Sequence, residues 1–200
     1  MKSHPIARRT VLSSALAALA SAPLMALGNT QEGASERSDS GSRILVVYFS
    51  RSGNTRVIAG LIQRGLQADL FEISPSTPYP EDYLETVEQA RKERDSGFEP
   101  ALQTRIGDLA DYDTVYLGFP IWGETAPPVV RSFLKTHDLT GKTLIPFITH
   151  GGYGLGDSHC VLKTHAPRAK LADGFVMEGE QERKTMERVT AWLGESHVPS

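Results

Sequence analysis

The chain has 200 residues, 40% of them hydrophobic and 22% charged, which suits one water-soluble domain with a sizeable core. Its formal charge is −3 and falls further once Lys2, Arg8 and Arg9 leave with a leader; with no basic stripe anywhere, a nucleic-acid partner is excluded. Cys160 is the only cysteine, which excludes an intramolecular disulfide and a cysteine metal cluster and leaves the role of a small, buried apolar filler as the expectation.

Residues 1–28 read as a targeting segment. Lys2, Arg8 and Arg9 give a positive start, and Val11 to Ala20 is Ala- and Leu-rich but too short to span a bilayer. Ala26-Leu27-Gly28 offers a cleavage signal before Asn29. Arg8-Arg9-Thr10-Val11-Leu12 resembles a twin-arginine export signal, implying a periplasmic or otherwise exported protein; a general secretory signal is the alternative. No cysteine lies near the cleavage region, so no lipid anchor, and no membrane association after signal removal, is expected. Residues 29–42 hold almost nothing to bury and read as a disordered tether to a domain at 43–197.

From residue 43 the chain alternates strand and helix. The apolar run from Ile44 to Phe49 predicts a strand buried on both faces, followed by a helix with Val57, Ile58, Leu61, Ile62 and Leu66 on its core face. Asp69 to Ile73 predicts a short strand near an edge, and Pro75, Pro78 and Pro80 an extended loop. Residues 81–95 predict a charge-rich helix with Tyr83, Val87 and Ala90 facing the core. Thr114 to Phe119 is a buried strand, and Val129, Val130, Phe133 and Leu134 mark a helix started by Pro127 and Pro128. Thr143 to Thr149 is a further strand, 156–168 a helix, Leu171 to Met177 a weaker last strand, and Met186, Val189 and Leu193 the face of a closing helix. The expected fold is α/β: a doubly wound, five-stranded parallel sheet with helices on both faces. Pro146 lies inside the fourth strand, where it requires either a bulge or a local break in pairing.

The turn Ser50-Arg51-Ser52-Gly53-Asn54-Thr55 joins the first strand to its helix, where small hydroxyls and backbone N–H groups meet the positive end of a helix dipole. It lacks the Lys of a nucleotide-triphosphate loop and the three glycines of a dinucleotide fingerprint. What remains is a nest for one terminal phosphate monoester. Arg51 either neutralises that phosphate or points to solvent.

Ser-x-Ser-Gly-Asn-Thr after a first strand resembles the FMN-phosphate loop of flavodoxins. Gly118-Phe119-Pro120-Ile121-Trp122-Gly123 and Thr149-His150-Gly151-Gly152-Tyr153-Gly154-Leu155-Gly156 extend the resemblance to the flavodoxin family over residues 43–195. It implies the flavodoxin-like strand order 2-1-3-4-5, with FMN beyond the carboxyl ends of the strands. On that resemblance Pro120 stiffens the turn, Ile121 is among the cofactor-binding residues, Trp122 stacks on the flavin, and Gly123 lets a peptide unit turn toward it. Thr149, Gly151, Gly152 and Gly154 bring backbone amides to the pyrimidine edge, and Tyr153 covers the other ring face. His150, where a small hydroxyl residue is expected, either tunes the flavin as a protonated imidazole or packs the loop as a neutral one.

The function implied is an exported FMN-binding electron-transfer protein, serving a redox partner protein or a small-molecule donor or acceptor. The alternative is an FMN-dependent NAD(P)H:quinone or related oxidoreductase on the same scaffold; whether the chain is an enzyme is left open. Gly156-Asp157-Ser158-His159 lacks the elbow of a serine hydrolase, and Asp157 or Ser158 reads as a helix N-cap. The scattered histidines match no metal spacing, so no metal is expected.

Overall fold

The computed structural model describes residues 43–179 and 182–196. The expected leader and tether at 1–42 lie outside the described residues. The apolar run forms β1 (Ile44–Tyr48), flanked by β2 (Asp69–Glu72) and β3 (Thr114–Pro120), then β4 (Thr143–His150) and β5 (Lys170–Leu171). All pairs are parallel and the order is β2-β1-β3-β4-β5, as expected, with β2 at an edge. The helices are α1 (Asn54–Leu66), α2 (Tyr83–Ser96), α3 (Pro128–Thr136), α4 (Ser158–His165) and α5 (Glu182–Ser196).

Alternation along β1 supplies two cores, one on each face of the sheet. Leu45 and Val47 join Val115, Leu117, Val129, Phe133 and Leu162 on the α3 and α4 side. Val46 and Tyr48 join Ile58, Ile62, Phe147 and Val189 on the α1 and α5 side. Each fully buried aliphatic side chain among them contributes about 1.5–3 kcal/mol.

The expected last strand divides in two. β5 pairs with Thr143 and Leu144, whereas β6 (Phe175–Glu178) pairs with β4 only from Phe147 onward. Pro146 sits in the gap, while its pairing with Leu117 of β3 continues unbroken. Ala172 donates to the carbonyl of Leu144, so Pro146, two residues on, turns its missing N–H toward the same side. Of the two expectations for Pro146, the local break is the one observed. Gly174 crosses the gap so closely that a Cβ there would fall 2.1 Å from the Pro146 carbonyl oxygen.

Several expected core positions face outward instead. In α1 the buried stripe is Thr55, Ile58, Ala59 and Ile62, so Val57, about 100° round the helix from Ile58, is 53% exposed. Met186 is exposed for the same reason, because Thr185 and Val189 of α5 turn inward. Tyr83 and Val87 of α2 are exposed, and only Ala90 of that expected face is buried. Cys160 is exposed, contrary to the buried filler expected: the buried residues of α4 are Ser158 and Leu162, and Cys160 lies between them on the outer face. α4 is shorter than the 156–168 expected, bounded by Gly156 at φ 52° and by Pro167.

Candidate functional site

The loops after β1, β3 and β4 converge at the carboxyl ends of the central strands, where the strand order reverses. In the first loop the Gly53 N–H donates to Ser50 Oγ (3.2 Å), and Gly53 takes a left-handed φ of 95°. Ser50 thereby shapes the turn as an acceptor and keeps its own hydroxyl proton to donate. No side chain caps the start of α1, which leaves its first-turn N–H groups to an incoming anion. Thr55 is buried, and its hydroxyl lies 2.8 Å from the hydroxyl of Thr149. That contact ties the first loop to the β4 loop. The Ile121 N–H donates to the Thr149 carbonyl (2.8 Å) and ties in the β3 loop as well.

Between these loops lies a cavity of about 610 Å³. It brings together Arg51, Ser52, Asn54, Pro120, Ile121, Trp122, Gly123, Thr149, His150 and Gly151 of the expected site. Ser50, Gly53, Thr55, Gly152, Tyr153 and Gly154 are not among its walls. Tyr153 is 82% exposed and lines a neighbouring cavity instead.

Arg51 is exposed and lines the cavity beside Ser52 and Asn54. Its Nη2 donates to the Glu81 carbonyl (2.6 Å), and its guanidinium lies over the Tyr83 ring. Trp122 is held edge-on by Phe49 and Tyr79, with ring centres 5.2 and 4.9 Å away. Gly123 and Glu124 both have positive φ, 58° and 65°, in a tight turn closed by the Trp122 N–H on the Thr125 carbonyl. Asp157 pins that turn from outside by donating its N–H to the Glu124 carbonyl (3.0 Å). His150 Nδ1 accepts from the Gly152 N–H (3.0 Å), so that nitrogen is engaged within its own loop.

The sequence did not reveal two of the walls. One is α2: Tyr83, Thr86, Val87, Ala90, Arg91 and Arg94 recur at helical spacing and face the cavity. Their period was visible, but period alone cannot say whether protein or ligand covers a stripe. The other is the end of β6, where Glu178 and Gly179 line the cavity and the Gly179 N–H donates to the His150 carbonyl (2.8 Å). Behind Trp122, Tyr79 donates its hydroxyl to Glu93 (2.8 Å), which Gln89 also contacts. Burial, reinforced by the Glu93 hydrogen bond, pushes the Tyr79 phenol well above its ordinary range, so it stays protonated.

A parallel sheet of order 2-1-3-4-5 with a cavity at its switch point defines a doubly wound, flavodoxin-like α/β protein. The chain belongs to the flavodoxin family, whose model, described as Flavodoxin, matches residues 43–196. A protein of Bacteroides eggerthii described as a flavoprotein is 32% identical, covering 80% of this chain and 100% of its own, with a TM-score of 0.68. A Bacteroides uniformis protein so described is also 32% identical, over 75% of this chain and 99% of its own, with a TM-score of 0.66. A Lactobacillus acidophilus flavoprotein in complex with FMN shares the fold at 20% identity, over 74% of this chain and 99% of its own, with a TM-score of 0.60. No curated protein matches the chain.

Proposed function

We propose that this chain is an FMN-binding electron-transfer protein, exported across the cytoplasmic membrane. The observation that carries the reading is the shared cavity: a phosphate nest, an aromatic wall and a glycine-bearing loop meet in one space of about 610 Å³, within the size range of pockets that take small molecules and cofactors. The residues present fit FMN. Ser52, Asn54 and the uncapped start of α1 suit the phosphate, Trp122 offers a ring face, and Gly151 leaves backbone room beside Thr149. Tyr83 and Val87, apolar yet exposed in the protein alone, acquire a partner when the cavity is filled. FMN supplies the one- or two-electron chemistry; the chain binds it, orients it and keeps water from it. Purified protein titrated with FMN should hold a flavin absorbing at about 450 nm, and a chain that ignores added FMN ends this reading.

The α2 wall supports a second reading, an FMN-dependent NAD(P)H oxidoreductase, because a helix over the cavity narrows access for a protein partner more than for a small molecule. Rapid mixing of loaded protein with NAD(P)H separates the two: fast bleaching of the flavin without a partner reductase favours the oxidoreductase, and no bleaching favours the shuttle. Export rests on Arg8-Arg9 and the apolar run after them. A non-covalent cofactor is best loaded before export, and the twin-arginine route carries folded proteins. Replacing Arg8 and Arg9 with Lys should retain the chain in the cytoplasm; unchanged periplasmic recovery counts against that route.

A further inference from the structure

Beyond the 122–125 turn lies a second cavity, of about 490 Å³, which shares Gly123 and Arg94 with the first. The two chambers therefore meet at Gly123. A Cβ on Gly123 would fall 2.3 Å from Arg94 Nη1, so the guanidinium rests against the bare glycine at the junction. Arg131, in the first turn of α3, lines the second chamber, and its Nε and Nη2 are buried without any hydrogen-bond partner. Leaving charged donors desolvated and unpaired is strongly unfavourable, and a bound anion relieves it. The start of α4 lies on the same wall, lined by Asp157 and Val161; backbone carbonyls engage the N–H groups of Asp157, Ser158 and Cys160, while the buried Ser158 hydroxyl has no partner. Glu124 and Asp157 also line this chamber, but both are exposed. Asp95 pairs with Arg94 through Nε and Nη2, leaving Nη1 at the junction. The exposed Tyr153 supplies an aromatic surface to the same chamber.

We propose that the second chamber binds the anionic group, a carboxylate or a phosphate monoester, of a small molecule whose remainder extends past Gly123 into the first cavity. Arg131 is the primary anion ligand and Arg94 the shared one. The inference rests on the first cavity being the cofactor cavity, since only then does the small molecule reach a reactive group. It gives this chain a site for a small charged substrate, separate from the phosphate nest of the β1 loop.

The test uses FMN-loaded protein, in which the nest is filled, titrated at constant ionic strength with inorganic phosphate and, separately, with benzoate. Both the thermal midpoint and the flavin spectrum are followed. A saturable rise in midpoint with either probe is expected from mass action, with affinity weakened about tenfold or more in Arg131→Met. A response to phosphate alone assigns a phosphate-bearing ligand, and a response to benzoate a carboxylate. No saturable response to either probe, or equal affinity in Arg131→Met, overturns the proposal. Should Arg131→Met not fold, Arg94→Met takes its place, and equal affinity there overturns it as well. A chain that binds no FMN ends the cofactor reading alone; phosphate titration of Ser52→Ala apoprotein, with and without Arg131→Met, then still decides the anion site.

Discussion

His137 is buried, and both of its ring nitrogens are committed. Nδ1 donates to the Phe133 carbonyl (2.9 Å), and Nε2 accepts from the Ile106 N–H (3.1 Å). A second proton would sit on Nε2 and face another donor. Burial lowers the His137 pKa below its ordinary 6.5, and nearby Arg105 lowers it further, against the opposing Phe133 bond. With the folded value below the unfolded one, the stabilisation is complete above the unfolded pKa and is lost as pH falls through the folded one. Denaturant midpoints should therefore drop between neutral pH and moderately acidic pH, and His137→Gln should flatten that drop. An equally steep profile in the variant would remove His137 as its source. No pattern in the sequence separated this histidine from the other five, because its neutrality comes from Ile106 and Phe133 reaching it in space.

Among the elements, β4 shows how one residue shapes its neighbours. Pro146 lacks the N–H that an inner strand needs on the β5–β6 side, and the chain answers by interrupting that strand around Gly174. The sequence posed this problem but not its solution, which depends on how closely the outer strand passes. Gly174→Ala would force a Cβ against the Pro146 carbonyl, a backbone atom that cannot swing aside. The expected loss is about 1–3 kcal/mol, read as a lowered denaturant midpoint with unchanged m-value; a change within about 0.5 kcal/mol, the range of neutral surface substitutions, contradicts the close approach. Gly97, with nothing within 4 Å of its would-be Cβ, poses no such packing problem. α2 carries the complementary lesson. Its period was legible, but Tyr83 and Val87 face a cavity, so a helix predicted to seal the core instead walls the site.

For the whole molecule, the parallel sheet and the first loop were legible because each is written in a local run: Ile44 to Phe49, then hydroxyls and Gly53, then a helical stripe; the strand order followed only from the family resemblance that the loop carries. What escaped was assembled across distance. Thr55 bonds to Thr149 from another loop, Glu178 arrives from a strand only four residues long, and Arg131 reaches its cavity from α3. Among the described residues no helix is long and apolar enough to cross a membrane. The β1 loop remains the anchor of the proposed function, in which the uncapped start of α1, Ser52 and Asn54 select a phosphate. The most direct measurement is a fluorescence titration of apoprotein with FMN and with riboflavin, which differ only in that phosphate. The account predicts that FMN binds tighter by about tenfold or more and that Ser52→Ala together with Asn54→Ala erases most of the difference; equal affinity for the two flavins in the unaltered chain would contradict it.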